Sequence, residues 1–332
     1  MRLFSTWAAA SAIADPLVWT EASILQAVAQ AECRVLATPL DDLLGRLTAL
    51  GSQRILVANP VGTLAQAGRF SWASPQGHIG HLHARDVDID LDLQSAATVL
   101  ATGVGRRSVL PLGVRVYNSA GDLLLSLTPD SHIGSQAFHE VVRAHFIKVS
   151  ERPSPPSTTA HPQRSRTTHL AVDIDGAMVA WSRSSTHHSL DAILEQHGVS
   201  RQQFYNTVPG AVASPIEADQ MLALLRWTVS KRAPMLLQVG RAGAATVTRL
   251  FPTAVETTHG SIDLVGPRAL LRLDRARLDQ AWVVSLDTAK GRMRRIEILD
   301  ASGDLAVCLG PTALGRAAAV SRWSGAARPG RC

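Results

Sequence analysis

The chain has 332 residues, 46% hydrophobic and 18% charged, with a formal net charge of +6. That is ample material for a core and a length that suits two domains of ordinary size. Its three cysteines, Cys33, Cys308 and Cys332, are odd in number and widely spaced, which argues against a disulfide framework, an iron–sulfur cluster or a zinc knuckle and suits a reducing cytoplasm. No apolar run is long enough to span a bilayer, so stable membrane insertion is not expected. The arginines are scattered, with no basic helix and no aromatic-interleaved strand, so nucleic acid is not expected as a partner either. A small ligand carrying carboxylates fits the positive balance.

Residues 1–14 have the outline of a short signal peptide, but Ser5, Thr6 and Ser11 interrupt the apolar run, and a Trp–Ala helical face explains it equally well. Thr20, followed by Ile24 and Leu25, reads as a cap ahead of an apolar pair. Thr38-Pro39-Leu40-Asp41 puts a cap before Pro and an acid at N3, which starts a helix. In Gly77-His78-Ile79-Gly80-His81-Leu82-His83, the imidazoles of His81 and His83 share a strand face. With Asp86 they suit a transition metal; an exposed polar strand face is the favoured reading. Asp86, Asp88, Asp90 and Asp92 alternate with Val87, Ile89, Leu91 and Leu93, the period of a half-buried strand with an acidic solvent face. Alternating apolar residues around Asn118-Ser119-Ala120-Gly121 predict a β-hairpin. A helix from Gln136 to Phe146 carries His139 and His145 on its surface. Residues 151–168, rich in Pro, Ser and Thr, read as a linker.

Beyond the linker the pattern starts again. Ser200 to Tyr205 aligns with Thr20 to Leu25 at an offset of 180, and Ser214-Pro215-Ile216-Glu217 echoes the first Pro-led helix start. Leu236-Leu237-Gln238 matches Ile55-Leu56-Val57 at 181, and Leu271-Arg272-Leu273 matches Leu91-Asp92-Leu93 at 180. Ile296 to Leu305 matches Val114 to Leu123 at 182. Five anchors at nearly one offset imply a duplication: an α+β tandem structural repeat, each half with N-terminal helices and a large antiparallel β-sheet. The division expected is 1–150 for the first repeat, 151–168 for the linker, 169–316 for the second repeat and 317–332 for a tail.

Residues present in one copy only are candidates for a site. At the offset of 180, His187 and His188 fall on Trp7 and Ala8, and Arg201 falls on Glu21. Leu190, Ile193, Leu194 and His197 follow at helical spacing, Gly198 supplies a C-cap, and Ser200 with Gln203 forms a capping box that opens the next helix. The positive end of a helix dipole disfavours imidazolium, and neutral imidazole is the form that coordinates a metal. The plainer reading is that the two histidines are polar residues at a helix start.

The second half resembles the cytoplasmic haemin-degrading factors of the HemS/HmuS/ChuS type, which are tandem-repeat proteins. The matching pieces are His188, His197 and Arg201-Gln202-Gln203-Phe204; Leu271-Arg272-Leu273 with Leu278-Asp279-Gln280-Ala281-Trp282-Val283; and the Arg294-to-Gly310 hairpin. In the first half, Asn59, Gly68 and the Ile89-to-Leu93 run occupy family positions. The resemblance implies haem b as ligand, with His188 as axial iron ligand and metal-binding residue, and Arg201 pairing with a propionate. His187 is the alternative ligand, since a one-residue shift of the helix start exchanges their roles. A haem-uptake transporter or a haem oxygenase is the partner class implied.

Several family positions are changed. The distal arginine falls on Asp90 or Asp92, and an ionised aspartate cannot donate to bound oxygen. A first-repeat histidine falls on Leu64, the Phe-Val-Gly-Asn segment reads Gln238-Val239-Gly240-Arg241, a lysine falls on Leu286 and a tyrosine on Leu309. The resemblance therefore favours carriage or storage of haem over its degradation. The alternative is a degenerate repeat scaffold that has lost haem and binds a protein partner or a transition metal, His81 and His83 being the residues for the latter.

Overall fold

The computed structural model describes residues 33–36, 39–103, 112–130, 132–145, 172–183, 189–288 and 291–312. In the first half these form β1 (Cys33–Val35), α1 (Leu40–Thr48), β2 (Ser52–Ala58), β3 (Gly62–Arg69), β4 (Ser71–Gln76), β5 (Ile79–Ala84), β6 (Val87–Asp92), β7 (Thr98–Thr102), β8 (Gly113–Tyr117), β9 (Leu123–Pro129) and α2 (His132–Ala144). The second half has α3 (Ile174–Arg183), α4 (Ser189–Gln196), α5 (Arg201–Thr207), β10 (Ala213–Pro215), α6 (Ala218–Ser230), β11 (Met235–Arg241), β12 (Ala244–Leu250), β13 (Ala254–Thr257), β14 (Ser261–Val265) and β15 (Ala269–Asp274). A 3₁₀ turn (Arg275–Gln280), β16 (Ala281–Thr288), β17 (Gly291–Leu299) and β18 (Leu305–Pro311) complete it. From β1 to β9 and from β10 to β18 the two halves run through one helix and the strands in the same order, with the 3₁₀ turn added in the second.

Two nine-stranded antiparallel sheets result. The first runs β1-β7-β8-β9-β2-β3-β15-β14-β13 and the second β10-β16-β17-β18-β11-β12-β6-β5-β4. The orders correspond term by term, so the α+β tandem repeat is present. Each sheet, however, takes six strands from one half and three from the other. The meander β4-β5-β6 joins the second sheet through β6 and β12, and β13-β14-β15 joins the first through β15 and β3. Exchange gives β3 and β12 hydrogen-bonded neighbours on both sides in place of exposed edges.

Burial follows the alternation of each strand. On the inner face of the second sheet, Leu237, Val239, Ile296, Ile298, Val307 and Leu309 pack with Met221, Leu224 and Leu225 of α6 and with Ile262, Leu264, Leu271 and Leu273 of the exchanged meander. The matching cluster joins Leu43, Leu44 and Leu47 of α1 to Ile55, Val57, Val114, Val116 and, from the other meander, Leu82, Ile89 and Leu91. Asn59 ties the halves together: its Nδ2 donates to the carbonyls of Gly240 and Ala306, and its Oδ1 accepts from the backbones of Val61 and Gly62.

Local signals are mostly obeyed. Both hairpin loops place glycine at positive φ, Gly121 and Gly303 each at 80°, where a Cβ is strained. The Asp-rich run is β6, with Val87, Ile89 and Leu91 buried and Asp88 and Asp90 exposed. The second Pro-led start differs: Pro215 lies in β10 opposite Trp282, and the helix opens at Ala218 behind a Glu217–Gln220 capping box. Proline lacks the N–H a central strand needs but fits this short edge strand. His145 is more enclosed than a surface position, with Nδ1 2.6 Å from the Val141 carbonyl. The linker of residues 151–168 lies outside the described residues, as do the N-terminal and C-terminal segments.

Candidate functional site

Three short helices cover one end of the second sheet's outer face. Leu190 and Leu194 of α4, Val199, and Phe204, Tyr205 and Val208 from α5 and its C-cap bury against Trp282, Val284 and Leu299. Gly198, with φ 66°, ends α4 in the left-handed conformation, and the capping box at Ser200 and Gln203 starts α5 two residues later. This tight corner fixes Arg201, the first residue of α5, over strand β17.

Arg201 is almost fully buried there and every terminal nitrogen is engaged. Its Nη1 donates to Tyr205 Oη at 2.9 Å and to Glu297 Oε2 at 2.6 Å, and its Nη2 donates to Asp191 Oδ1 at 2.5 Å. Glu297 is fully enclosed and also accepts from the Tyr205 hydroxyl, while Arg295 pairs with its other oxygen. Burial pushes the Glu297 carboxyl up, but Arg201, Arg295 and the Tyr205 hydroxyl hold it below its ordinary value. Burial opposes the charge of Arg201 too, and Glu297 with Asp191 keeps it protonated well above the usual range. Burial raises Tyr205 well above an ordinary phenol and Cys308, on the neighbouring strand, to about 12, so both stay neutral.

The cluster holds two enclosed guanidiniums against one enclosed carboxylate; Asp191, the second acid, has its side chain 71% exposed. Arg201 Nε, Arg295 Nε and Trp282 Nε1 are buried donors without a hydrogen-bond partner among the described residues. Excess positive charge and unused donors are the setting in which an anion is bound. Glu297 and Arg295 were not singled out by sequence. The available signal is a reversal: Arg201 and Glu297 align with Glu21 and Arg115 in the first half.

His187 and His188 lie outside the described residues, immediately ahead of Ser189, where α4 begins. Arg201 stands as described. Gln238 is on the same outer face as Glu297, linked to it through Cys308 (Gln238↔Cys308↔Glu297). Leu309 and Leu64 are both in the inner core and cannot line that face; Cys308 and Gly310 do so instead. His81 Nδ1 lies 2.7 Å from Asp90 Oδ1, and His83 Nδ1 is paired with Asp88, all four side chains exposed. Asp90 faces Ala245 of β12 as Arg272 faces Thr63 of β3, which makes Asp90 the counterpart of Arg272. Asp92 bonds Ser95 in the following turn.

The fold is one of two exchanged repeats, and the chain is similar to proteins of the HemS type. Residues 198–309 match the family model described as the haemin-degrading HemS.ChuX domain. The chain is 22% identical over 267 residues to the hemin transport protein HemS of Yersinia enterocolitica, covering 79% of this chain and 75% of that one. The hemin transport protein HmuS of Yersinia pestis gives the same identity and coverage over 268 residues. Among solved structures, ChuS, an E. coli heme oxygenase, superposes with a TM-score of 0.75 at 18% identity over 91% of both chains. Holo-PhuS, a heme-binding protein from Pseudomonas aeruginosa, does so with a TM-score of 0.71 at 18% identity, over 87% of this chain and 84% of that one. No helix among the described residues is long and apolar enough to cross a membrane.

Proposed function

We propose that this protein carries or stores haem b in the cytoplasm, taking it on the outer face of the second sheet beside α4 and α5. The observation that carries the reading is the buried cationic cluster of Arg201, Arg295 and Glu297, whose counterparts in the first half are Glu21, Gly113 and Arg115. In this reading His188 is the axial iron ligand, with His187 as alternative, because α4 starts directly after them and the helix dipole favours neutral imidazole. Arg201 takes a propionate carboxylate in a paired hydrogen-bond geometry. Asp191, exposed and bound to Nη2 of Arg201, is the carboxylate that a propionate would replace. Haem itself supplies any redox chemistry. An aspartate at the distal arginine's position, Asp90 or Asp92, cannot donate a hydrogen bond when ionised, so carriage is favoured over macrocycle cleavage. A haem-uptake transporter or a haem oxygenase is the expected exchange partner.

The test is a titration of the full chain with haemin. A sharp Soret band is expected, with His188→Ala abolishing it or moving it to the red. If the protein lacking both His187 and His188 side chains binds like wild type, the ligand assignment is wrong. The alternative, a transition-metal scaffold, draws on His81 and His83, whose Nδ1 atoms are held by Asp90 and Asp88 as in metal-ligating histidines. Two imidazoles fall short of the four ligands of a structural zinc site, which puts haem first.

A further inference from the structure

One row away from Glu297, on the same outer face, the second sheet carries Val284, Arg295, Gly310, Leu236 and Arg249 on β16, β17, β18, β11 and β12. Val284 faces Arg295, Leu236 faces both Gly310 and Arg249, and a Cβ on Gly310 would stand 3.3 Å from that of Arg295. The absence of that Cβ leaves the backbone of β18 bare between Arg295 and Leu236. Leu236 is 42% exposed, one of few large apolar side chains so open among the described residues. Arg249 and Arg295 thus bracket a flat apolar floor, three strand spacings or roughly 14 Å apart.

Their charges are poorly compensated. Arg295 shares Glu297 with Arg201, and the Nε atoms of both Arg295 and Arg249 are buried without a partner among the described residues. The acids nearest in register to Arg249 are Asp88, which pairs with His83, and Asp86, whose backbone carbonyl accepts from Arg249 N–H and Thr248 Oγ1. The equivalent row of the first sheet is Thr102, Gly113, Thr128, Arg54 and Ala67. It holds one arginine, and that arginine pairs with Asp130 at 3.2 Å. Two guanidiniums around an apolar strip, against one in the first sheet, distinguish this row.

We infer that Arg249 and Arg295 are further carboxylate-binding residues for a flat, apolar, dicarboxylate ligand lying on Gly310 and Leu236. The inference rests on the haem reading and adds to it. Arg201 can accept a carboxylate only after Asp191 leaves, whereas Arg249 has no acid partner among the described residues to displace, and Arg295 shares Glu297 with Arg201. Arg249 therefore meets one carboxylate first, with Arg295 and Arg201 on the side of the other.

The test compares haemin with haemin dimethyl ester, in which both carboxylates are capped, by Soret titration of the full chain. Wild type should bind the ester less tightly than haemin. Arg249→Gln should weaken haemin about 10-fold, the scale of a charge-assisted hydrogen bond, and leave ester binding unchanged; Arg295→Gln should weaken haemin by at least as much. Arg295→Lys should restore most of the loss at that position. Arg249 lies outside the buried Glu297 cluster, so its variant carries the test if Arg295→Gln fails to fold, which a thermal melt reports. Equal losses for haemin and ester, or no loss for either, overturn the inference alone. A wild type that gives no Soret band with haemin overturns the haem reading and this inference with it.

Discussion

The two sheets have the same topology and opposite outer faces. Across the first, one register row reads Leu100, Arg115, Ser126, Leu56, Ala65, Leu270 and Val265. All but Leu56 are buried. Strand for strand, the second reads Trp282, Glu297, Cys308, Gln238, Val247, Asp88 and His83. It begins buried under α5 and ends in the exposed His83–Asp88 pair. A shared hydrogen-bond framework thus tolerates a mostly apolar row in one copy and a mostly polar one in the other, because backbone pairing fixes the register and leaves the outward side chains free to change. Chemistry has collected where the second sheet opens.

The largest expected effect tests the buried end of that row. Glu297→Gln leaves Arg201 and Arg295 without their enclosed anion and should cost about 3–5 kcal/mol at neutral pH. Because the folded-state pKa of Glu297 lies below its ordinary value of 4.5, its contribution is complete above that value and is lost as the pH falls through the lowered pKa. Urea unfolding of both proteins at pH 7 and in the acid range should therefore show the gap narrowing on acidification. A gap that stays constant with pH would mean that the carboxylate charge is not what Glu297 contributes.

A smaller effect is expected from exchanging equivalent residues of the two rows. Leu270→Asp places a carboxylate between Ala65 and Val265 at a site only 8% exposed and should destabilise by about 2–4 kcal/mol. The reverse change, Asp88→Leu, removes one partner of an exposed pair and should stay within about 0.5 kcal/mol. Denaturant midpoints of similar size for the two would erase the contrast between the faces.

Much of this was legible because it is local. Alternation marked β6, Asn/Asp-x-x-Gly marked both hairpins, and Ser200 with Gln203 marked the start of α5. The exchange of meanders was not legible, since alternation says that a segment is a strand and nothing about its neighbour. The repeat offset shows why. The register relations place β6 against β15 at 182, with Asp90 matching Arg272, not at the 180 suggested by Leu91-Asp92-Leu93. A slip of two residues keeps every side chain on its face, so the pattern cannot detect it. For β2 and β11 the offset of 181 puts Leu56 on Leu237, whereas pairing puts it on Gln238, and a slip of one reverses the faces. Arg201 stood out because its counterpart at the offset of 180 is Glu21. Its partner Glu297 sits 96 residues on, in a strand whose alternation is ordinary.

The smallest effect separates the corrected counterparts Arg272 and Asp90. Arg272 grips Asp263 through Nε at 2.9 Å and Nη2 at 2.5 Å, and Asp263 is nearly enclosed. Asp90 holds His81 by one contact between two exposed side chains. Arg272→Gln leaves a largely buried carboxylate without its bidentate partner and should cost about 1–3 kcal/mol. Asp90→Asn keeps the shape, removes a solvated charge and should cost no more than about 0.5 kcal/mol. Chemical unfolding at low and moderate salt distinguishes them further, because salt screens an exposed pair more than an enclosed one. If Asp90→Asn proves as costly as Arg272→Gln, the acidic face of β6 serves the fold, and its aspartates have been retained for packing and not released to vary. If the cost is negligible, Asp90 is free to take part in whatever the open end of the second sheet binds.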